Sequence, residues 1–148
     1  MTHRQLVLIA AAGSAALLLG AFAFQLAGYA PCELCLLQRW PHAAAIVIGA
    51  LALVLGWRWL AWPGALAALT TAAIGVYHSG VERHLWAGPS SCTGGGVGLS
   101  GDLLSTDAPR LIMCDQISWQ IFGISMANWN VIFSLILFAV WIAAARRR

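Results

Sequence analysis

The chain has 148 residues, 61% of them hydrophobic and only 9% charged, with a formal net charge of +3 and a mean hydropathy of +0.81. Soluble domains carry about 25% charged residues, and hydrocarbon penalises each ionised side chain by roughly 2.5–3.5 kcal/mol, so this composition excludes a soluble domain and points to an integral membrane protein. It also excludes a nucleic-acid binder: lysine is absent, and the eight arginines are dispersed except at Arg146-Arg147-Arg148.

A bilayer-spanning helix needs about 20 mainly apolar residues. The chain is therefore expected to be an all-α membrane protein, a single-domain four-transmembrane-helix bundle with spans over 5–27, 36–55, 60–79 and 127–145. The first segment could be read as a signal peptide ending near Ala27-Gly28-Tyr29-Ala30. Its apolar stretch exceeds the roughly 7–15 residues of a signal core, so it is read as a retained span.

Pro31-Cys32-Glu33-Leu34-Cys35 stands at the start of the second span. At a helix N-terminus, exposed amides and the macrodipole favour an anionic sulfur and lower its pKa. Arg39 follows Cys35 by four residues, one helical turn on and on the same face. A cation there can stabilise a Cys35 thiolate or an electron-rich, membrane-soluble acceptor, and Gln38 can hydrogen-bond a carbonyl of such an acceptor. Glu33 reads as a solvated carboxylate, and His42 and His84 are assigned no chemical role.

Trp57, Trp59 and Trp62 crowd the connection to the third span as an interfacial belt, and Pro63 falls in its first turn, where proline is tolerated. A long outer loop is expected over about 80–126. Glycines flank Cys92, which predicts a mobile, accessible setting for that thiol. Leu99, Leu103, Leu104, Leu111, Ile112 and Met113 suggest a short surface-lying helix, and Ile117, Trp119, Ile121, Phe122 and Ile124 an interfacial approach to the last span.

Four spans put both termini on one side, together with Arg4, Arg58 and Arg146-Arg147-Arg148 and no acid. The other side holds Arg39, Arg83, Arg110 and all five acidic residues. The positive-inside rule makes the termini cytoplasmic. Cys32, Cys35, Cys92 and Cys114 then share the outer, oxidising side, where disulfides persist. A C-x-x-C pair can be half of a zinc site, but Cys92 and Cys114 lack the matching close spacing, so no metal is expected. Covalent haem needs a histidine directly after the second cysteine, where Leu36 stands. From spacing alone, a redox relay and a membrane protein stapled by inert structural disulfides both remain open.

Pro31-Cys32-x-x-Cys35-x-x-Gln38-Arg39 resembles the signature of the disulfide bond formation protein B (DsbB) family, bacterial inner-membrane thiol:quinone oxidoreductases. The likeness extends to Tyr77-His78-Ser79-Gly80-Val81-Glu82, to Trp86-x-Gly88-Pro89-x-x-Cys92, and to Cys114-Asp115 with Trp119, Phe122-Gly123-Ile124-Ser125 and Trp129-Asn130. The resemblance implies that a periplasmic thioredoxin-fold oxidase of the DsbA type, once reduced, attacks a Cys92–Cys114 disulfide at Cys92. Cys114 then passes electrons to a Cys32–Cys35 disulfide, and Cys35 delivers them to a quinone, ubiquinone or menaquinone, beside Arg39. It implies His78 as a quinone contact, although an interfacial histidine with local hydrogen bonds fits that position too. Trp119 and Trp129 can act as belt anchors or pack near the quinone. A vitamin K epoxide reductase-like enzyme also has four spans, but its active C-x-x-C follows the loop pair instead of preceding it.

Overall fold

The structure is a computed structural model that describes residues 1–93 and 113–147. It contains four helices long and apolar enough to cross a membrane. Helix α1, His3–Leu26, opens on a capping box in which the Thr2 hydroxyl accepts from the Gln5 amide and the Gln5 side chain accepts from the Thr2 amide. Helix α2, Glu33–Leu55, starts earlier than hydropathy suggests because Cys32 caps it: its sulfur accepts the Cys35 amide at 3.3 Å. Gly56 ends α2 in the left-handed region at φ 71°, which favours glycine. A single 3-10 turn over Arg58–Leu60 leads into α3, Ala61–Glu82, and α4 covers Met126–Arg146.

Just before α4, strands β1 (Gln120–Ile121) and β2 (Ile124–Ser125) form a minimal antiparallel hairpin. Its two-residue turn, Phe122-Gly123, takes φ 53° and 74°, the double positive φ that tight hairpins need. The apolar approach to the last span is thus partly a hairpin. Met113 is half-buried, whereas the other residues of the expected surface helix, Leu99, Leu103, Leu104, Leu111 and Ile112, lie outside the described residues.

The helices pack in cyclic order, α1 on α2, α2 on α3, α3 on α4 and α4 back on α1. Both termini lie at one end, where His3 Nδ1 donates to the Ala144 carbonyl at 2.9 Å. That half of the bundle is packed mainly with hydrophobic side chains. Val7, Ala10, Ala61, Ala65 and Ala144 surround the fully buried Trp141. Small residues let the helices approach closely in place of a hydrophobic driving force. A Cβ at Gly64 would lie 2.8 Å from the Trp141 ring, and one at Gly49 2.5 Å from Ala11 Cβ.

The opposite end is polar inside, and it carries the cysteines. The Trp86 indole donates to the Tyr77 carbonyl at 2.8 Å and stacks on the Tyr77 ring, folding the chain back over the end of α3. Gly80 lies beneath that indole, where a Cβ would overlap it.

Candidate functional site

The N-terminus of α2 places Cys32 and Cys35 side by side, both free, with their sulfurs 3.0 Å apart. Cys32 is only 5% exposed. Its S–H donates to Cys35, and together with burial this pushes the thiol above its ordinary value. For this cysteine the structure reverses the expected effect of the helix terminus, because the neighbouring sulfur and the loss of water outweigh the amides.

Cys92 and Cys114 are joined by a disulfide, and the two are 5% and 0% exposed. They pack with Cys32, Leu34 and Val81 in one buried cluster. Cys92 is therefore buried here, not in the accessible setting its flanking glycines suggest. The Cys114 amide donates to the Cys92 carbonyl, and the Ser91 hydroxyl donates to the Glu33 carboxylate, holding this segment against the start of α2. Glu33 is exposed, as the sequence suggests, and has that one added partner.

His78 reaches the pair from α3, its Nε2 3.5 Å from Cys32 Sγ and 3.8 Å from a Glu82 oxygen. Glu82 also accepts from the Ser125 hydroxyl, which caps α4. The ligand atoms of Cys32, Cys35 and His78 fall within 4.8 Å of one another, close enough to hold a metal ion when both thiols are reduced. C-x-x-C spacing alone does not disclose this grouping, since the histidine comes from another helix.

Hydrogen-bond direction through the site follows from one backbone carbonyl. Gln38 Nε2 lies 3.1 Å from the Leu34 carbonyl, which can only accept, so this atom is the amide nitrogen. The same nitrogen donates to His78 Nδ1 at 3.0 Å, leaving Nε2 as the protonated atom of a neutral His78, aimed at Cys32 and Glu82. Gln38 Oε1 must then accept, and it takes Asn130 Nδ2 at 2.7 Å. Asn130 Oδ1 in turn faces His42 Nε2 at 2.9 Å, so in neutral His42 that nitrogen carries the proton. Gln38, His78, Asn130 and His42 form one chain crossing three helices.

Arg39 turns towards α1. Nη1 donates to Gln25 Oε1 at 2.8 Å, Nη2 to the Ala21 carbonyl at 3.4 Å, and the guanidinium lies over the Phe22 ring at 4.7 Å. Cys32, Cys35, Gln38, Arg39 and His78 nevertheless share one cavity of about 440 Å³, whose wall is mostly apolar and also includes His42, Glu82, Trp119, Trp129 and Asn130. Among the residues around the cavity, Arg39 Nε, Trp129 Nε1 and His42 Nδ1 are buried without a hydrogen-bond partner among the described residues. A mostly apolar cavity that meets both free cysteines and the Arg39 cation suits a flat, apolar molecule with carbonyl oxygens, so the lining fits a quinone head group. Sequence reasoning missed Asn130, His42 and Gln25 as parts of this wall and its bracing. Asn130 had two signals, an amide placed inside an apolar span and its place in the Trp129-Asn130 pair of the family resemblance.

The model of the family described as disulfide bond formation protein DsbB matches residues 3–144. A disulfide bond formation protein B from Acidovorax sp. (strain JS42) is 31% identical over 149 residues, covering 93% of this chain and 83% of the relative. The protein of the same name from Paracidovorax citrulli (strain AAC00-1) is 30% identical over 158 residues, covering 97% and 89%. No solved structure matches the chain at a significant level.

Proposed function

The chain belongs to the disulfide bond formation protein B family, and from that premise we propose that it is a thiol:quinone oxidoreductase that reoxidises a periplasmic thioredoxin-fold oxidase of the DsbA type. A partner dithiol reduces the Cys92–Cys114 disulfide, with Cys92 as the entry sulfur. The resulting thiols reduce a Cys32–Cys35 disulfide by exchange. The Cys32 and Cys35 thiols then give two electrons and two protons to a quinone substrate drawn from the membrane pool; they close their disulfide, and quinol leaves.

The observation that carries this reading is the continuity of the cysteine cluster with the cavity: Cys32 packs against the Cys92–Cys114 pair on one side and lines the cavity with Cys35 on the other. Exchange requires sulfurs that can approach one another and a thiolate to attack. Arg39 on the cavity wall suits a quinone carbonyl, and His78, held by Gln38 and Glu82, can donate its Nε2 proton to a Cys32 thiolate. The arginine distribution favours a multi-pass inner-membrane protein with cytoplasmic termini and outward-facing cysteines.

The deciding experiment is quinone reduction by purified protein given a reduced thioredoxin-fold donor, comparing wild type with Cys35→Ser. Cysteine-dependent turnover with ubiquinone or menaquinone is expected. If neither quinone is reduced, the proposal fails.

A further inference from the structure

We propose that Gln38 keeps metal ions off the reduced Cys32–Cys35 pair. It holds His78 in the tautomer that cannot act as a ligand, so a soft divalent cation such as zinc meets two thiols and not a three-ligand centre. The proposal concerns the dithiol itself and holds whatever molecule the cavity takes.

By position alone this is a metal site. The ligand atoms of Cys32, Cys35 and His78 lie within 4.8 Å of one another. Cys32 Sγ and His78 Nε2 are 3.5 Å apart, which matches the separation of about 3.5 Å set by a tetrahedral zinc with ordinary bond lengths. The two sulfurs, 3.0 Å apart, need only separate to about 3.8 Å to share such an ion. Glu82 adds an oxygen donor 3.8 Å from Nε2.

The hydrogen bonds forbid what the distances allow. A histidine ligates through a bare lone pair, and Nε2 is the ring atom beside Cys32. Nε2 becomes bare in neutral His78 only if the proton moves to Nδ1, where Gln38 Nε2 already donates at 3.0 Å. Two donors would then face each other. Metal-bound histidines ordinarily give that second N–H to a carboxylate or carbonyl. Gln38 cannot turn to offer its oxygen, because both ends of its amide are fixed. Its nitrogen lies 3.1 Å from the Leu34 carbonyl, which only accepts. Its oxygen lies 2.7 Å from Asn130 Nδ2. That atom is a nitrogen, because it also lies 3.2 Å from Thr71 Oγ1, whose single proton goes to the Gln38 backbone carbonyl at 3.2 Å. Turning Gln38 would set oxygen against oxygen at Leu34 and nitrogen against nitrogen at Asn130. The dithiol gains from this arrangement, since a thiolate bound to a cation is no longer free to attack or to close a disulfide.

The test uses the full chain in detergent with Cys92→Ser and Cys114→Ser, which leaves one thiol pair. The reduced protein is titrated anaerobically with cobalt(II) at neutral pH, and binding is read from thiolate-to-cobalt charge-transfer absorption. In this parent His78→Ala is expected to change cobalt affinity less than about twofold, because the ring is not a ligand. A larger loss overturns the proposal. Gln38→Glu puts only acceptors opposite Nδ1, which draws the proton there and frees Nε2. It is expected to tighten cobalt binding at least about tenfold, the ratio set by one hydrogen bond of about 1.4 kcal/mol. Adding His78→Ala to Gln38→Glu should remove that gain. Equal affinity in the parent and in Gln38→Glu overturns the proposal, and so does a gain that survives loss of the ring, which would come from the added charge. Should Gln38→Glu not fold, His78→Ala in the parent decides alone. None of these readouts involves a quinone, so failure here and failure of the quinone reading are separate results.

Discussion

Gln38 Nε2 lies 3.0 Å from His78 Nδ1, so a single amide ties α2 to α3 directly below Cys32 and sets which nitrogen of the histidine faces the thiol. Gln38→Leu removes this bond and the one from Asn130, leaving both partners buried without it. The expected result is a stability loss of about 1–3 kcal/mol and at least a tenfold slower cysteine-dependent quinone reduction. Thermal unfolding in detergent and a turnover assay check the two parts separately. A variant with wild-type turnover would remove Gln38 from the site.

The termini half of the bundle yields a prediction about packing alone. A Cβ at Gly64 would lie 2.8 Å from Trp141, whose ring is enclosed by small residues and has no room to move aside. Gly64→Val should cost about 1–3 kcal/mol through overpacking. The loss is read as a lower midpoint of thermal unfolding in detergent. An unchanged midpoint would mean that the helices can part there without cost.

The pH response of Cys32 has a definite sign. Its thiol is held above the ordinary value of 9.0, chiefly by the hydrogen bond to Cys35 and next by burial. The folded dithiol protein therefore binds that proton more tightly than the unfolded chain does. The associated stability is fully present below pH 9 and is lost as pH rises beyond it. Iodoacetamide alkylation of the reduced protein, mapped by peptide mass spectrometry across pH, should give Cys32 a midpoint above 9.0. A midpoint at or below that value contradicts the geometry at the helix start.

The four-helix architecture was legible because composition and apolar run length reflect the choice of solvent, and hydrocarbon leaves few alternatives to helices. Cys32, Cys35, Gln38 and Arg39 were legible as a group because they lie within two turns of one helix. What could not be read was anything that depends on side-chain direction between helices. Arg39 shares a helical face with Cys35 in the sequence, yet its guanidinium finds its partners on α1, at Gln25 and Ala21. The place of His42 on the cavity wall could not be read because the residue that fixes its ring, Asn130, is 88 positions away. Glycines around Cys92 suggested freedom, but burial of its disulfide against Val81 and Leu34 is a tertiary effect that local composition does not encode.

The packing around Trp141 has a consequence beyond holding the helices together. Every residue of that cluster is apolar, and none carries an ionisable side chain. Beyond the buried hydroxyls of Ser14 and Ser134, this cluster therefore places no ionisable side chain between His42 or His78 and the end where His3 bonds Ala144. The half of the bundle next to the termini thus offers protons no titratable relay among the residues of this cluster. Under the proposed reaction, thiol protons released at the cysteine end are expected to leave with the quinol or on the side they came from, so that turnover leaks no charge across the membrane.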